Sequence, residues 1–294
     1  MASFRVLAMG LAVACFASAN ELQTVTDFGP VYNTSLKMQI YVPETLASSP
    51  PIVLALHGCF GSGDQYFAQA GYDTYAESLG ALLIFPTSQK DSNCWDVSSD
   101  AVLSHDKHAD NEVLVNMIDY TIKTYNADPS RVFVTGTSSG CMMTNVLCAT
   151  YPDIFAAATC YSGVAAGCFA GSPGSSPISS NRSCANGDVQ KTGEEWAAQV
   201  HAMYPGYSGD YPSLKTWHGT ADSLVFYQNL KEQIKLWTTV IGLDFSYNET
   251  STPEADYTTM VFGDGTKFEA VSAVGVGHTV PIHQELDFKW FGLL

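Results

Sequence analysis

Short apolar runs that end in turn residues alternate along this chain with segments of helical spacing. Four such runs occupy residues 51–56, 81–85, 131–136 and 155–160. A run of this length bounded by turn residues is typical of a strand that is buried on both faces. Residues 31–42 instead alternate between apolar and polar positions, which predicts an early, exposed strand pair.

The segments between these runs predict helices. Helical spacing is found over residues 63–79, 110–125, 192–203 and 224–240, and a short terminal helix is expected around His283. Asp110 stands where a helix N-cap is expected. Further strands are predicted over residues 214–218 and, as a pair joined at Asp264-Gly265, over residues 257–274. Apolar strands that alternate with helices predict an α/β fold with a mostly parallel central sheet and helices on both faces.

The amino-terminal residues have the pattern of a secretory signal peptide. An early Arg5 precedes an apolar run that ends in Ala17-Ser18-Ala19. Small residues at these positions predict cleavage after Ala19, and the run is shorter than the ~20 residues of a transmembrane helix. We therefore predict a signal peptide over residues 1–19 and a single domain over residues 20–294, in a secreted protein with no membrane partner.

Composition narrows the classes of function. The 294 residues carry 13 Lys+Arg against 29 Asp+Glu, a formal net charge of −16, and only 14% of them are charged. Nucleic-acid binding needs clustered basic residues, so this balance argues against a nucleic-acid partner. Since 46% of the residues are hydrophobic, the chain has enough apolar surface to form a core and lacks the profile of a disordered protein.

Cysteines and sequons fit an oxidising destination. Beyond Cys15 in the predicted signal peptide, seven cysteines remain: Cys59, Cys94, Cys141, Cys148, Cys160, Cys168 and Cys184. Their odd number leaves at least one thiol unpaired. Cys141 and Cys148 lie about 10 Å apart along one predicted helix, too far for a disulfide. Cys168 and Cys184 flank a Gly/Ser/Pro-rich loop and are candidates for a bridge, as are Cys148 and Cys160. Asn33, Asn181 and Asn248 begin sequons and are candidates for glycosylation.

The segment at residues 131–140 (RVFVTGTSSG) predicts a nucleophilic serine. It places G-x-S-x-G at the end of an apolar strand and the start of a helix, which is the pattern of a nucleophile elbow. Glycine is needed at positions 136 and 140 because a side chain there would collide with neighbouring backbone. We predict that Ser138 is the nucleophile.

A serine nucleophile needs a histidine that is oriented by a carboxylate, and this fold supplies them in the order Ser, Asp/Glu, His. Asp222 follows a predicted strand within HGTAD, and His278 lies in a Gly-rich loop after the last strand. Less suitable alternatives are Asp210 and Asp244, which are interpreted as surface acids, and His218 and His283, which are interpreted as structural or helical histidines. We expect Ser138, Asp222 and His278 to form a catalytic triad.

The loop after the first buried strand predicts an oxyanion hole. Residues 56–63 (LHGCFGSG) follow that strand directly. In this kind of fold one amide comes from this loop and one from the residue after the nucleophile. The predicted donors are therefore the N–H groups of Cys59 and Ser139.

Six motifs resemble the fungal secreted carbohydrate esterases of family 1. They are LHGC at 56–59, NCWD at 93–96, RVFVTGTSSG at 131–140, YSGVAAGCFAG at 161–171, HGTAD at 218–222 and GVGHTVP at 275–281. That family includes acetylxylan esterases and type B feruloyl esterases and is related to polyhydroxybutyrate depolymerases. The resemblance implies the α/β-hydrolase fold, the triad named above and a disulfide between Cys59 and Cys94.

The chain departs from the family pattern at two places. Cys141 replaces a small residue after the elbow, and residues 105–108 (HDKH) replace a Gly-rich stretch. The cellulose-binding module that is frequent in the family is not expected. His105, Asp106, His108 and Asp110 suggest a metal site, but a loop beside a helix start explains the same residues, so we predict no metal and no other cofactor.

The expected function is therefore that of a monomeric serine esterase that removes acetyl groups from xylan or a related plant cell-wall polysaccharide. Trp95 and Trp217 are candidates for stacking on a sugar ring. A feruloyl esterase is the nearest alternative, a polyhydroxybutyrate depolymerase the next, and an inactive sugar-binding protein the alternative from another class. A lipase is less favoured because the loop over residues 162–188 has no amphipathic lid helix.

Overall fold

The computed structural model describes residues 21–294, so the predicted signal peptide lies outside the described residues. The strands are β1 (Leu22–Val25), β2 (Met38–Tyr41), β3 (Ile52–Leu56), β4 (Leu82–Ile84), β5 (Val132–Thr137), β6 (Ala157–Tyr161), β7 (Ser213–Gly219), β8 (Phe245–Thr250), β9 (Tyr257–Phe262) and β10 (Phe268–Ala273). The helices are α1 (Gly63–Ala70), α2 (Asp73–Leu79), α3 (Asp110–Tyr125), α4 (Ser139–Thr150), α5 (Gly193–Met203), α6 (Gln228–Ile241) and α7 (Gln284–Trp290).

All ten strands form one sheet in the order β1-β2-β4-β3-β5-β6-β7-β10-β9-β8. The six central strands are parallel to one another: β4, β3, β5, β6, β7 and β10. The antiparallel strands β2 and β1 extend one edge of the sheet, and β9 and β8 extend the other. The predicted mostly parallel sheet is confirmed. Its parallel strands all end at the same edge, where β3, β5, β7 and β10 present the loops of interest.

Helices cover both faces of the sheet, as the apolar strands require. Along β3, Ile52, Leu54 and Leu56 belong to the larger core, and Val53 and Ala55 belong to the second. Successive side chains of a strand point to opposite faces, so β3 is buried on both. Helices α3 to α6 pack on the first face, and α1, α2 and α7 pack on the second.

Several element boundaries differ from the prediction. Residues 63–79 form two helices because Gly71 adopts a left-handed conformation (φ 65°) and ends α1. Residues 31–42 are not an exposed strand pair: only Met38–Tyr41 is a strand, it is largely buried, and its antiparallel partner β1 lies upstream. The second edge strand β8 was not predicted, because all six of its residues are exposed and it lacks an apolar pattern.

Three disulfides connect the chain. Cys59–Cys94 and Cys168–Cys184 form as predicted, with sulfur–sulfur distances of 2.00 and 2.08 Å. The prediction that Cys148 and Cys160 pair is wrong, because Cys160 on β6 bonds to Cys141, whose Cα lies 4.7 Å away in the first turn of α4. Cys148 lies two turns further along that helix and is a buried free thiol. Within residues 21–294, no helix combines the length and the apolar character needed to span a bilayer.

Candidate active site

The turn between β5 and α4 places Ser138 above the edge of the sheet. Ser138 adopts φ 57° and ψ −118°, and its amide donates a 2.7 Å hydrogen bond to the carbonyl of Tyr161. A Cβ atom on Gly136 would come within 2.4 Å of Gly140 backbone, and one on Gly140 would come within 2.0 Å of the Leu56 carbonyl oxygen. Both glycines are therefore required, and the sharp turn presents the Ser138 hydroxyl outwards.

The structure brings the three predicted triad residues together. His278 Nε2 lies 2.8 Å from Ser138 Oγ, and His278 Nδ1 lies 2.7 Å from Asp222 Oδ2. We assign the Nδ1 proton to the bond with Asp222, which leaves Nε2 to accept the serine proton. The arrangement has the geometry of a nucleophile, a general base and an orienting carboxylate.

Asp222 is held as an anion although its carboxylate is buried. Burial alone would raise the pKa of Asp222, but the His218 imidazole at 3.5 Å and hydrogen bonds from His278 and the Val225 amide hold it well below its ordinary value. Oδ1 accepts from the Leu224 and Val225 amides at 2.9 Å each. The carboxylate is thus fixed in position and in charge, which suits a group that orients a histidine.

The two amides predicted to bind the oxyanion lie close to Ser138. In the part of the chain that the structure describes, neither the Cys59 nor the Ser139 N–H donates to another protein group. A Cβ atom on Gly58 would contact Ser138 Cβ at 3.4 Å, so the loop after β3 packs directly against the elbow. These amides are available to an oxyanion that develops at Ser138.

A buried histidine, His57, supports the loop after β3, and its role was not predicted from the sequence. His57 Nδ1 donates to the Gly58 carbonyl at 2.7 Å, and Nε2 accepts from the Ser88 amide at 3.2 Å. Burial lowers the pKa of His57, which agrees with a neutral ring that both donates and accepts. Its position directly before Gly58, at the end of a buried strand, was the available signal.

The prediction that Trp95 and Trp217 stack on sugar is wrong. Both indoles are fully buried. Trp95 Nε1 donates to the His57 carbonyl at 2.8 Å, so this side chain lies beneath the loop that follows β3. Trp217 lies on the central strand β7 and stacks on Tyr161 and His283. Neither ring has a face open to a polysaccharide.

The alternative acids and histidines lie apart from the nucleophile or play a supporting part. Asp210 and Asp244 are exposed surface acids. His218 is buried behind Asp222, and its Nε2 donates to the Val225 carbonyl at 2.7 Å. His283 precedes α7 and is not part of that helix.

The residues that suggested a metal site have other partners. His105 Nδ1 donates to the Thr150 carbonyl, and its ring stacks on Tyr204. His108 pairs with Glu112 at 3.2 Å. Asp110 begins α3 but does not cap it, because its carboxylate accepts from the Asp96 amide. Within residues 21–294, no group of three or more His, Cys, Asp or Glu side chains is arranged to hold a metal ion.

A cavity of about 380 Å³ opens above Ser138 and His278. The buried side chains of Met142, Phe169 and Val225 form apolar parts of its wall. Another wall belongs to the Gly/Ser/Pro-rich loop, which Asp91 holds by accepting hydrogen bonds from Ser175, Ser176 and Ser179. The site therefore combines the hydrogen-bonded Ser138, His278 and Asp222 with a largely apolar recess.

Comparison with known proteins identifies the family. The family model described as "Esterase PHB depolymerase" matches residues 36–241. The feruloyl esterase B of Talaromyces funiculosus is 48% identical over 98% of this chain and 80% of its own length. The acetylxylan esterase A of Aspergillus awamori is 47% identical over 93% of this chain and 90% of its own length.

The chain belongs to the PHB depolymerase esterase family. It is a carboxylic ester hydrolase, and its resemblance to the fungal acetylxylan and feruloyl esterases is confirmed. A solved structure of the acetyl xylan esterase from Aspergillus awamori matches 93% of this chain and all of its own, with a TM-score of 0.88 and 46% identity. The α/β-hydrolase fold expected from the sequence is therefore confirmed.

Proposed function

We propose that this esterase is a secreted enzyme that removes acetyl groups from xylan. The observation that carries the proposal is the hydrogen-bonded chain from Ser138 through His278 to Asp222, beside two amides without protein acceptors. The relatives named acetylxylan esterase support the choice of substrate.

The acylation step uses each of these groups. Ser138 Oγ attacks the acetyl carbonyl carbon while His278 Nε2 takes the serine proton. The carbonyl oxygen becomes an oxyanion that accepts hydrogen bonds from the Cys59 and Ser139 amides, and Asp222 stabilises the imidazolium. When the tetrahedral intermediate collapses, His278 returns the proton to the sugar oxygen, and the deacetylated sugar leaves an acetyl group on Ser138.

Deacylation repeats these steps with water. His278 takes a proton from a water molecule as its oxygen attacks the acetyl-serine carbonyl, and the same two amides hold the second oxyanion. Collapse expels Ser138 Oγ, which regains its proton from His278, and acetate leaves. The chain's own residues thus supply the nucleophile, the base and the oxyanion donors, so the proposal includes no cofactor.

The remaining features of the proposal concern the whole protein. Residues 1–19 would direct secretion, and residues 20–294 would act as a single, monomeric esterase domain. Three disulfides fit an oxidising compartment. The sequon residues Asn33, Asn181 and Asn248 are all exposed, as glycosylation requires.

Replacement of the nucleophile tests the proposal. Ser138→Ala should lower kcat for acetate release from acetylated xylan by a factor on the order of 10³ or more, because it removes the hydroxyl that is hydrogen-bonded to His278 Nε2. Ser62→Ala changes another serine that lines the cavity and should leave kcat near that of the parent. Near-native activity of Ser138→Ala would exclude the assignment.

Feruloyl ester cleavage is the second candidate. An acetyl group fills only part of a 380 Å³ cavity, and the apolar side chains of Met142, Phe169 and Val225 suit a larger acyl group. Initial rates on acetylated xylan, methyl ferulate and polyhydroxybutyrate separate the candidates. Acetate release without appreciable ferulate or polyester cleavage supports xylan deacetylation. Failure to hydrolyse even p-nitrophenyl acetate would instead indicate an inactive sugar-binding protein.

A further inference from the structure

Phe60 combines two unfavourable features at the mouth of the active-site cavity. Its side chain is 62% exposed, and its backbone has φ 63°, a left-handed conformation that a bulky residue seldom adopts. Strained backbone of this kind persists where neighbouring structure imposes it. Phe60 immediately follows Cys59, the predicted oxyanion donor, and both line the cavity with Ser138.

The neighbouring loop fixes this conformation. The Phe60 amide donates a 2.7 Å hydrogen bond to the Ser92 carbonyl. On one side of Phe60 the disulfide joins Cys59 to Cys94, and on the other the Asn93 side chain donates to the Gly61 carbonyl at 2.9 Å. The phenyl ring is thus presented to solvent from a segment held at three consecutive positions.

Phe60 also differs from the other aromatic residues of the site. Three Phe, Tyr or Trp side chains line the described cavity, and Tyr66 and Phe169 are buried in its walls. Only Phe60 offers a ring face to a molecule that approaches from solvent. Trp95 and Trp217, which the sequence suggested for sugar stacking, are fully buried.

We propose that Phe60 is a substrate-specificity residue that stacks on the sugar ring bearing the scissile ester. The inference rests on the proposed function. A xylopyranose ring presents axial C–H groups on its faces and carries no charge, so an aromatic face suits it better than a charged side chain. A ring held in place before binding loses little entropy when the sugar arrives, which makes a rigid platform effective.

Stacking on the sugar acts on the alcohol part of the ester, remote from the reacting carbonyl. Phe60 should therefore contribute to kcat/KM for sugar esters and contribute little for esters of small alcohols. A residue that merely supported the Cys59 amide would affect both kinds of ester equally, because both form the same oxyanion. The ratio of the two activities distinguishes these roles.

The test compares three variants on acetylated xylotetraose, on ethyl acetate and on methyl ferulate. Phe60→Ala should reduce kcat/KM for the sugar ester about 3- to 10-fold, mainly through KM, and change ethyl acetate hydrolysis by less than about twofold. Phe60→Trp should retain the sugar preference. Leu224→Ala is the matched control, since Leu224 also lines the cavity and is 50% exposed but lies in the loop that carries Asp222. This variant should keep the preference for the sugar ester over ethyl acetate.

Three outcomes would overturn the proposal. If Phe60→Ala lowered kcat/KM equally on the sugar ester and on ethyl acetate, Phe60 would only support the loop that carries the Cys59 amide. If kcat/KM did not change, Phe60 would make no contact with the sugar. A loss on methyl ferulate without one on acetylated xylotetraose would place the ring on the acyl side. If the parent enzyme hydrolyses ethyl acetate but not acetylated xylotetraose, the proposed substrate itself is wrong, which is distinct from a failure of Phe60 alone.

Discussion

Asp222 and Asp287 are both buried carboxylates, yet their surroundings shift their pKa values in opposite directions. Asp222 lies at the catalytic edge of the sheet, and its pKa is lowered. Asp287 lies on α7 on the face that also carries α1 and α2, and burial raises its pKa to about 6. Burial penalises the charge of both and does so more strongly at Asp287, so the difference reflects the depth of burial together with the groups that donate to each carboxylate.

The donors contribute to the contrast. Asp222 receives two backbone amides and an imidazole N–H. Asp287 receives two neutral phenol hydroxyls, from Tyr72 at 2.6 Å and from Tyr161 at 2.7 Å, which do not offset its complete burial. Burial near an active site therefore does not by itself identify a catalytic carboxylate.

The largest effect is expected at Asp222. Asp222→Asn should lower kcat by about 10⁴-fold, because an amide cannot hold His278 in the tautomer that accepts the Ser138 proton. The measurement is kcat on p-nitrophenyl acetate. Asp210→Asn, a change at an exposed acid, should be silent. A loss below about tenfold at Asp222 would mean that its charge is as dispensable as that of Asp287.

Asp287→Asn should preserve activity and increase stability at pH 7. A rise in pKa from 3.8 to about 6 means that the unfolded chain ionises first as pH increases. The free energy of unfolding therefore falls by up to about 3 kcal/mol between pH 4 and pH 6 and stays lower above pH 6. Asp287→Asn should avoid this loss of unfolding free energy, because an amide does not ionise. Urea unfolding at pH 7 measures the gain.

The pH dependence of this gain provides its control. At pH 4 the carboxyl is largely protonated in the folded protein, so the parent and Asp287→Asn should unfold at nearly the same urea concentration. Asp222 has the opposite sign: its lowered pKa contributes stability above about pH 4 that is lost as the pH falls further. A variant at Asp287 that is less stable than the parent at pH 7 would contradict the assignment.

Tyr161→Phe should destabilise the protein by roughly 2 kcal/mol at pH 7 and by less at pH 4, because the hydroxyl stabilises the ionised form of Asp287. Tyr72→Phe is the matched variant, since Tyr72 donates to the same carboxylate. Tyr161→Phe removes the hydroxyl that accepts the His283 amide, at a residue whose retained carbonyl accepts the Ser138 amide, so it should lower kcat more than Tyr72→Phe does. If Tyr161→Phe and Tyr72→Phe changed kcat equally, the Tyr161 hydroxyl would contribute no more to the active site than the Tyr72 hydroxyl does, which would contradict the prediction.

The smallest effect is expected at His218. Its Nε2 holds the Val225 carbonyl in the loop that donates to Asp222. His218→Asn should lower kcat roughly fivefold through a less rigid carboxylate, consistent with the loss of about one hydrogen bond. Turnover of p-nitrophenyl acetate measures the loss, and Asp287→Asn, which should preserve activity, is the control. A loss as large as that of Asp222→Asn would contradict this supporting role of His218.

The sequence predicted the features that depend on neighbours along the chain. The strand-turn-helix at Ser138 and the strand-ending loops that carry Asp222 and His278 were all visible as local patterns. Parallel strands end at one edge, so these loops had to meet there. Their geometry follows from topology and needed no knowledge of side-chain packing.

What the sequence did not predict depends on contacts between distant segments. Nothing adjacent to Trp217 indicates that Tyr161 and His283 cover its faces. The choice of Cys141 over Cys148 as the partner of Cys160 depends on how α4 lies against β6. Asp287 resembles any helical surface acid, and its burial results from α7 packing on the sheet.

The free thiol of Cys148 affects how the protein behaves in air and in storage. Burial raises the pKa of Cys148 well above its ordinary value, so the thiol stays protonated and inaccessible while the protein is folded. Only a thiolate attacks a disulfide. The odd cysteine therefore neither rearranges the three bridges nor links two molecules, and non-reducing electrophoresis of aged native samples should show no covalent dimer.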